Sequence, residues 1–408
     1  MYFPHTHYEI EMKSRPGMFE AIGKDVASLR ASGHTDPLYS VLAAPNSAKY
    51  LFHAKLSEDL ERSALISGRF YEDVYRELRE SPERSAKTKS DYLKFANTYC
   101  AALNFELCGK KVFYIQDGLA QQLSATELNI VAPLFQLPFP SCMFVYTSTD
   151  VIDLMYKAIE ESRPGMRKLV PDYKVPVTVY LSMCNSSSED LPFRHLNLLV
   201  FHSTVEGQIA ALNRRLCLDD SWTLEEALRT DWIQLDKEKL GSRAAKIAGP
   251  EWAAASDELF YGDALLFFRI ILNTCLYLSS ADAVTEEKGS PYEEILEKRN
   301  ATAFRPSRQE LKQQAHRASR LPYVLVGGDV PISEPLTHLA DNDQKRKLSI
   351  RFTVRGHWRN QACGHGMKEH VLRFIKPYNK GPEMAELINR PYLVRATTPN
   401  EHTPGHAL

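Results

Sequence analysis

Near the C-terminus, Arg355-Gly356-His357-Trp358-Arg359-Asn360 sets two guanidinium forks, an indole ring and an imidazole within one short stretch. Arginine offers planar paired donors that match phosphate or carboxylate oxygens, and an aromatic face accepts a stacked base. Gly356 lets backbone approach closely. Arg351 precedes this stretch, and Arg373, Lys376, Tyr378 and Lys380 follow it. The candidate contact set for an anionic, flat ligand is therefore Arg351, Arg355, His357, Trp358, Arg359, Asn360, Arg373, Lys376, Tyr378 and Lys380. The bland alternative is a core Trp358 beneath a solvated basic face.

Two other chemistries use the same residues. His357 and His365 could act as acid and base, with Arg355 or Arg359 stabilising an anionic transition state, as in metal-independent ribonuclease cleavage. Cys363, His365 and His370 have metal-ligand side chains, but C-x-H-x4-H fits none of the usual zinc spacings, so no metal and no cofactor are expected. Tyr323 to Asp329 lacks the glycine pattern of a phosphate loop, and neither G-x-S-x-G nor H-E-x-x-H occurs. Hydrolase classes with sharp signatures are disfavoured.

What must position these residues is a β-rich module. Leu348 to Arg355 alternates at period two, with Ile350, Phe352 and Val354 on one side and Ser349, Arg351, Thr353 and Arg355 on the other. Val371 to Lys376 is a second, less regular strand candidate. Residues 345–380 hold ten Lys or Arg against one acid, Glu369, a local charge of +9 in a chain whose net charge is -1. Such an imbalance speaks to partners rather than to fold, although the module could equally pack against the acidic remainder of its own chain.

Upstream, Met18, Phe19, Ile22, Val26 and Leu29 share a helical face, as do Tyr92, Phe95, Tyr99 and Leu103, with a charged amphipathic candidate over Ser57 to Glu80 between them. Strands are expected at Val112–Ile115, Cys142–Tyr146, Val177–Leu181 and Leu196–Phe201, the last two as an antiparallel hairpin, and again at Tyr323–Val326. Asp117-Gly118 reads as a turn. Helices are expected at 151–161, after the capping box Thr223-x-x-Glu226, at 257–280 and over the basic stretch Arg305–Arg320. Arg269 and Asn273, one helical turn apart, should satisfy buried backbone groups.

At 408 residues the chain exceeds one ordinary core. The expected fold class is α+β: a helical N-terminal region over 1–110, a central, mostly antiparallel sheet packed with helices over 111–300, a small basic β-rich module over 301–395, and a loose tail over 396–408. No basic n-region with an apolar h-region opens the sequence, and Leu265 to Leu278 is too short to span a bilayer. Seven scattered cysteines without a C-x-x-C pair fit reduced thiols in a cytoplasm.

Val354-Arg-Gly-His-Trp-Arg-Asn-Gln361, followed by Ile375-Lys-Pro-Tyr-Asn-Lys-Gly-Pro382, resembles the C-terminal signature of a type V-A anti-CRISPR protein family spread over phages, plasmids and their hosts. Leu137-Pro-Phe-Pro140 and Leu272-Asn-Thr-Cys-Leu-Tyr-Leu-Ser279 resemble its central region, so the likeness covers roughly 130 to 382. The resemblance implies a counter-defence protein that lowers accumulation of the type V-A effector by recognising its nascent chain and bringing down its message. The expected partners are RNA or a ribonucleoprotein, and an effector nascent polypeptide, without a membrane.

Overall fold

The computed structural model describes residues 5–38, 44, 97–162, 176–185, 194–203, 209–229, 263–328 and 352–380. Helix α1 (His7–Ser14) starts at a reciprocal capping box, in which Thr6 accepts from the backbone of Glu9 and the Glu9 carboxylate caps Thr6. Pro16, suited to a first helical turn, opens α2 (Pro16–Ala31). Its Met18, Ile22 and Val26 recur one turn apart and are buried. A third helix, α3, runs over 97–107. The expected helix over Ser57 to Glu80 and the tail after 396 lie outside the described residues.

A seven-stranded sheet with strand order β5-β4-β3-β2-β1-β7-β6 forms the centre. Its members are β1 (Val112–Ile115), β2 (Ser141–Tyr146), β3 (Val177–Asn185), β4 (Arg194–Ser203), β5 (Ile209–Leu218), β6 (Thr285–Lys288) and β7 (Tyr323–Val326). β1 runs parallel to both β2 and β7, and the remaining neighbours are antiparallel. The β3–β4 hairpin pairs as the sequence suggests, Val179 opposite Val200.

Strand alternation sends Val112, Tyr114, Met143, Val145 and Tyr180 to one face, where they share a core with α1, α2 and α3. Phe113, Ile115, Phe144, Tyr146, Val179 and Leu181 point to the other. Covering on both faces explains why β1 and β2 are unbroken apolar runs. The second face carries α4 (Asp117–Ser124), α5 (Thr149–Ser162), α6 (Leu224–Arg229) and α7 (Asp263–Ser279), with α7 packed against the other three. The α+β class holds. The boundaries expected at 110 and 300 both cross shared packing: the N-terminal helices sit on the sheet, and β7 is one of its inner strands.

Two local expectations are corrected. Asp117-Gly118 opens a helix rather than a turn, because Leu119, Ala120 and Leu123 bury on the face toward α7 and outweigh the glycine. Arg269 does not serve buried backbone. It forms a paired bridge to Glu225 on α6, Nε at 3.1 Å and Nη2 at 2.6 Å. Beyond the sheet, α8 (Pro291–Ala301) and α9 (Arg305–Arg317) form a helical hairpin. Among the described residues no helix is long and apolar enough to cross a membrane.

Candidate nucleic-acid interface

The basic module consists of two small antiparallel pairs: β9 (His357–Cys363) with β10 (Glu369–Ile375), and β8 (Phe352–Val354) with β11 (Tyr378–Lys380). Of the long strand expected over Leu348–Arg355, the structure describes 352–354 as strand and Arg355 as the link before Gly356. Arg351 lies outside the described residues. The turn between β9 and β10 uses positive φ at Gly364 and Gly366, and also at Met367.

Gly356 fixes how the module meets the sheet. Its N–H donates to Ala125 O at 3.0 Å and its carbonyl accepts from Glu127 N at 2.9 Å. A Cβ built there would sit 2.5 Å from Thr126 Oγ1 and 3.0 Å from Pro377 Cδ, so only glycine fits without movement. Two residues on, Trp358 is 3% exposed. Its ring lies 4.9 Å from Phe374, its cross-strand partner, at a 30° tilt, and its Nε1 donates to Asn273 Oδ1 at 2.8 Å. Asn273 in turn donates through Nδ2 to Leu123 O and Thr126 O, at 3.1 and 2.9 Å. Trp358 is therefore a core anchor, and its ring is not open to a stacked base as the contact set required. Indole burial and a satisfied N–H together hold it there.

With Trp358 and Phe374 facing inward, strand alternation turns His357, Arg359 and Gln361 of β9 outward beside Ile375, Arg373 and Val371 of β10. Arg359 stands directly opposite Arg373. Like charges in that relation repel. Arg373 is compensated: Nη1 donates to Asp282 Oδ1 at 2.8 Å, and the other carboxylate oxygen takes the Phe374 N–H at 2.8 Å. Arg359 is exposed and has no carboxylate partner among the described residues. Lys376 and Lys380 are exposed as well, His357 and Tyr378 are half-buried, and Arg355 lies 3.9 Å from Glu127 at the base of the module. Asn360 is exposed on the opposite face, beside Leu372.

The ribonuclease pair does not converge. His357 begins β9 and His365 sits in the turn beyond its far end, about 20 Å apart at 3.3 Å per extended residue. An acid and a base for one phosphodiester must both reach it, which this spacing forbids. Cys363, His365 and His370 do not form a metal-binding group, and none of three or more such residues occurs among the described residues. Asn273 serves buried backbone as expected, but its bond to Trp358 was missed, as were Asp282, Thr126 and Asn129, whose Oδ1 accepts from the Trp358 backbone N–H at 3.4 Å, all in sequence far from the module they hold. Only Asn273 carried a signal, as a polar residue inside an apolar helix.

A family model described as anti-CRISPR type V subtype A2, AcrVA2-like, matches residues 68–379. Among solved structures, the crystal structure of AcrVA2 is similar at 10% identity and a TM-score of 0.39, the alignment covering 91% of this chain and 96% of that one. No curated protein matches the chain.

Proposed function

The chain belongs to the AcrVA2-like anti-CRISPR family, and from that premise we propose that it lowers accumulation of a type V-A CRISPR effector by engaging the effector's message and nascent chain on the translating complex. In this reading Arg359 on the outward face of β9 grips RNA together with the exposed Lys376, just after β10, and Lys380 on β11, with His357 and Tyr378 as further contacts. The observation that carries it is Arg359, held opposite a neutralised Arg373 with no carboxylate of its own among the described residues. A cation so placed is completed by a phosphate, and counterion release supplies the affinity. Its trans-strand position makes the face rigid, so little side-chain entropy is lost beyond the arginine itself.

Mobility shift of a mixed RNA pool at low and moderate salt tests this. Arg359→Ala/Lys376→Ala should weaken binding about tenfold and flatten the salt slope by about 1.4, at roughly 0.7 per single-strand phosphate contact. Equal binding by wild type and variant would remove the interface. Shortened RNA in the same gel would revive the enzymatic reading.

A further inference from the structure

Outside that face, the helical hairpin α8–α9 carries cations that the β module does not account for. From Lys298 to Arg320 the sequence holds seven Lys or Arg against a single acid, Glu310. Along α9, Ala315 and the following Ala318 are buried against the protein, while Arg308, Lys312 and His316 recur one turn apart along an exposed strip that flanks this buried edge, with Gln309 and Gln313 on its solvent side. At i, i+4 and i+8 they form a row about 6 Å in step. Neither Arg308 nor Lys312 has a carboxylate partner among the described residues. A solvated helix face usually mixes signs, since i,i+4 pairs of opposite charge stabilise it. This row has none.

At the head of the row stands Phe304. It ends the three-residue link Thr302–Phe304 between the helices, occupies the position before the first turn of α9, and makes no side-chain cap. The residue is 65% exposed, and it is the only aromatic among the exposed large apolar residues of the described part. Trp358, the aromatic the sequence puts forward, is buried, so Phe304 is the ring actually available.

We propose that the α8–α9 hairpin is a second, independent binding surface for single-stranded RNA, with Phe304 stacking on a base and Arg308 and Lys312 tracking the phosphates that follow. An aromatic platform at one end of a cationic track is the combination single strands require: every base has a π-face, and the track reads only charge. An acidic protein would satisfy the cations and leave the ring unused. Duplex RNA keeps its bases stacked and offers nothing to Phe304.

The full-length protein is titrated with a fluorescent oligouridylate and with a duplex RNA of equal length, across a salt series. Phe304→Ala should weaken oligouridylate binding about tenfold and leave duplex binding unchanged. Arg308→Ala/Lys312→Ala should weaken both and reduce the oligouridylate salt slope by about 1.4. All three side chains are exposed, so circular dichroism and melting should match wild type. The proposal is overturned if wild type fails to bind oligouridylate at low salt, if both variants bind it as wild type does, or if Phe304→Ala weakens duplex and single strand alike. The Arg359→Ala/Lys376→Ala variant, run in parallel, reports on the β face separately.

Discussion

The indole N–H of Trp358 donates to the side-chain oxygen of Asn273, 2.8 Å away and 85 residues earlier in the chain. Asn273 has no exposure at all, and its amide spends both donors on carbonyls at the end of α4. One buried amide thus ties the basic module, α7 and α4 together.

Asn273→Ala should unpair the Trp358 indole N–H and the Thr126 carbonyl in the core, while Leu123 O keeps the Thr126 N–H at 3.2 Å. At about 1 to 3 kcal/mol for each buried unsatisfied group, partly offset by relaxation, a loss of about 3 kcal/mol or more is expected in denaturant unfolding. Tryptophan emission should shift to the red as the module loosens. Asn273→Asp keeps the acceptor and loses the donors, and should be no less harmful.

Gly356→Ala places a methyl 2.5 Å from Thr126 Oγ1. Overpacking of this kind costs about 1 to 3 kcal/mol. Combined with Thr126→Ala, the loss should shrink but not vanish, because Pro377 Cδ and Ile375 O remain 3.0 and 3.1 Å from the same point. A double-mutant cycle by thermal unfolding measures that coupling.

Asp282→Asn leaves Arg373 without its countercharge and opposite Arg359. Stability should fall by about 1 kcal/mol, since the pair is partly exposed and solvent screens it. The penalty should shrink as salt is raised, and Arg359→Ala should relieve part of it. Unchanged stability at low salt would mean that the two guanidiniums avoid each other by rotation.

Glu226 accepts from the Thr223 N–H at 2.7 Å and from its hydroxyl at 2.9 Å, and these two bonds, the backbone one first, hold its carboxyl below the usual range. A depressed folded value means stability that is present above the unfolded pKa and lost as pH falls through the folded one. Glu226→Gln should therefore lower stability at neutral pH and flatten the acid limb of a stability profile measured between about pH 6 and 3.

Much of this fold could be read from residue order. β1 to β4 and β7 are dense in β-branched and aromatic residues, α7 is long and apolar, and the capping box at Thr223 lies where its spacing put it. The edge strands were not legible because their sequences are polar: β6 is Thr-Glu-Glu-Lys, which reads as a charged loop, and β5 carries Asn213-Arg214-Arg215 in its middle. The basic character of the module was legible in residue order, and the orientation of Trp358 was not. Whether Trp358 faces inward or outward depends on an amide and on Phe374 across the strand, neither of which any local pattern specifies.

The place of β7 beside β1 sets the order in which a newly made chain can finish. Val112–Ile115 takes its second neighbour from Tyr323–Val326, about two hundred residues later. At roughly 5 to 20 residues per second, one edge of the sheet waits about 10 to 40 s on the ribosome before its partner is synthesised. During that interval the strand offers open backbone donors and acceptors to any extended segment nearby. Fragments that stop short of Val326 keep that opening for good, which makes premature termination a route to aggregates rather than to a smaller working protein.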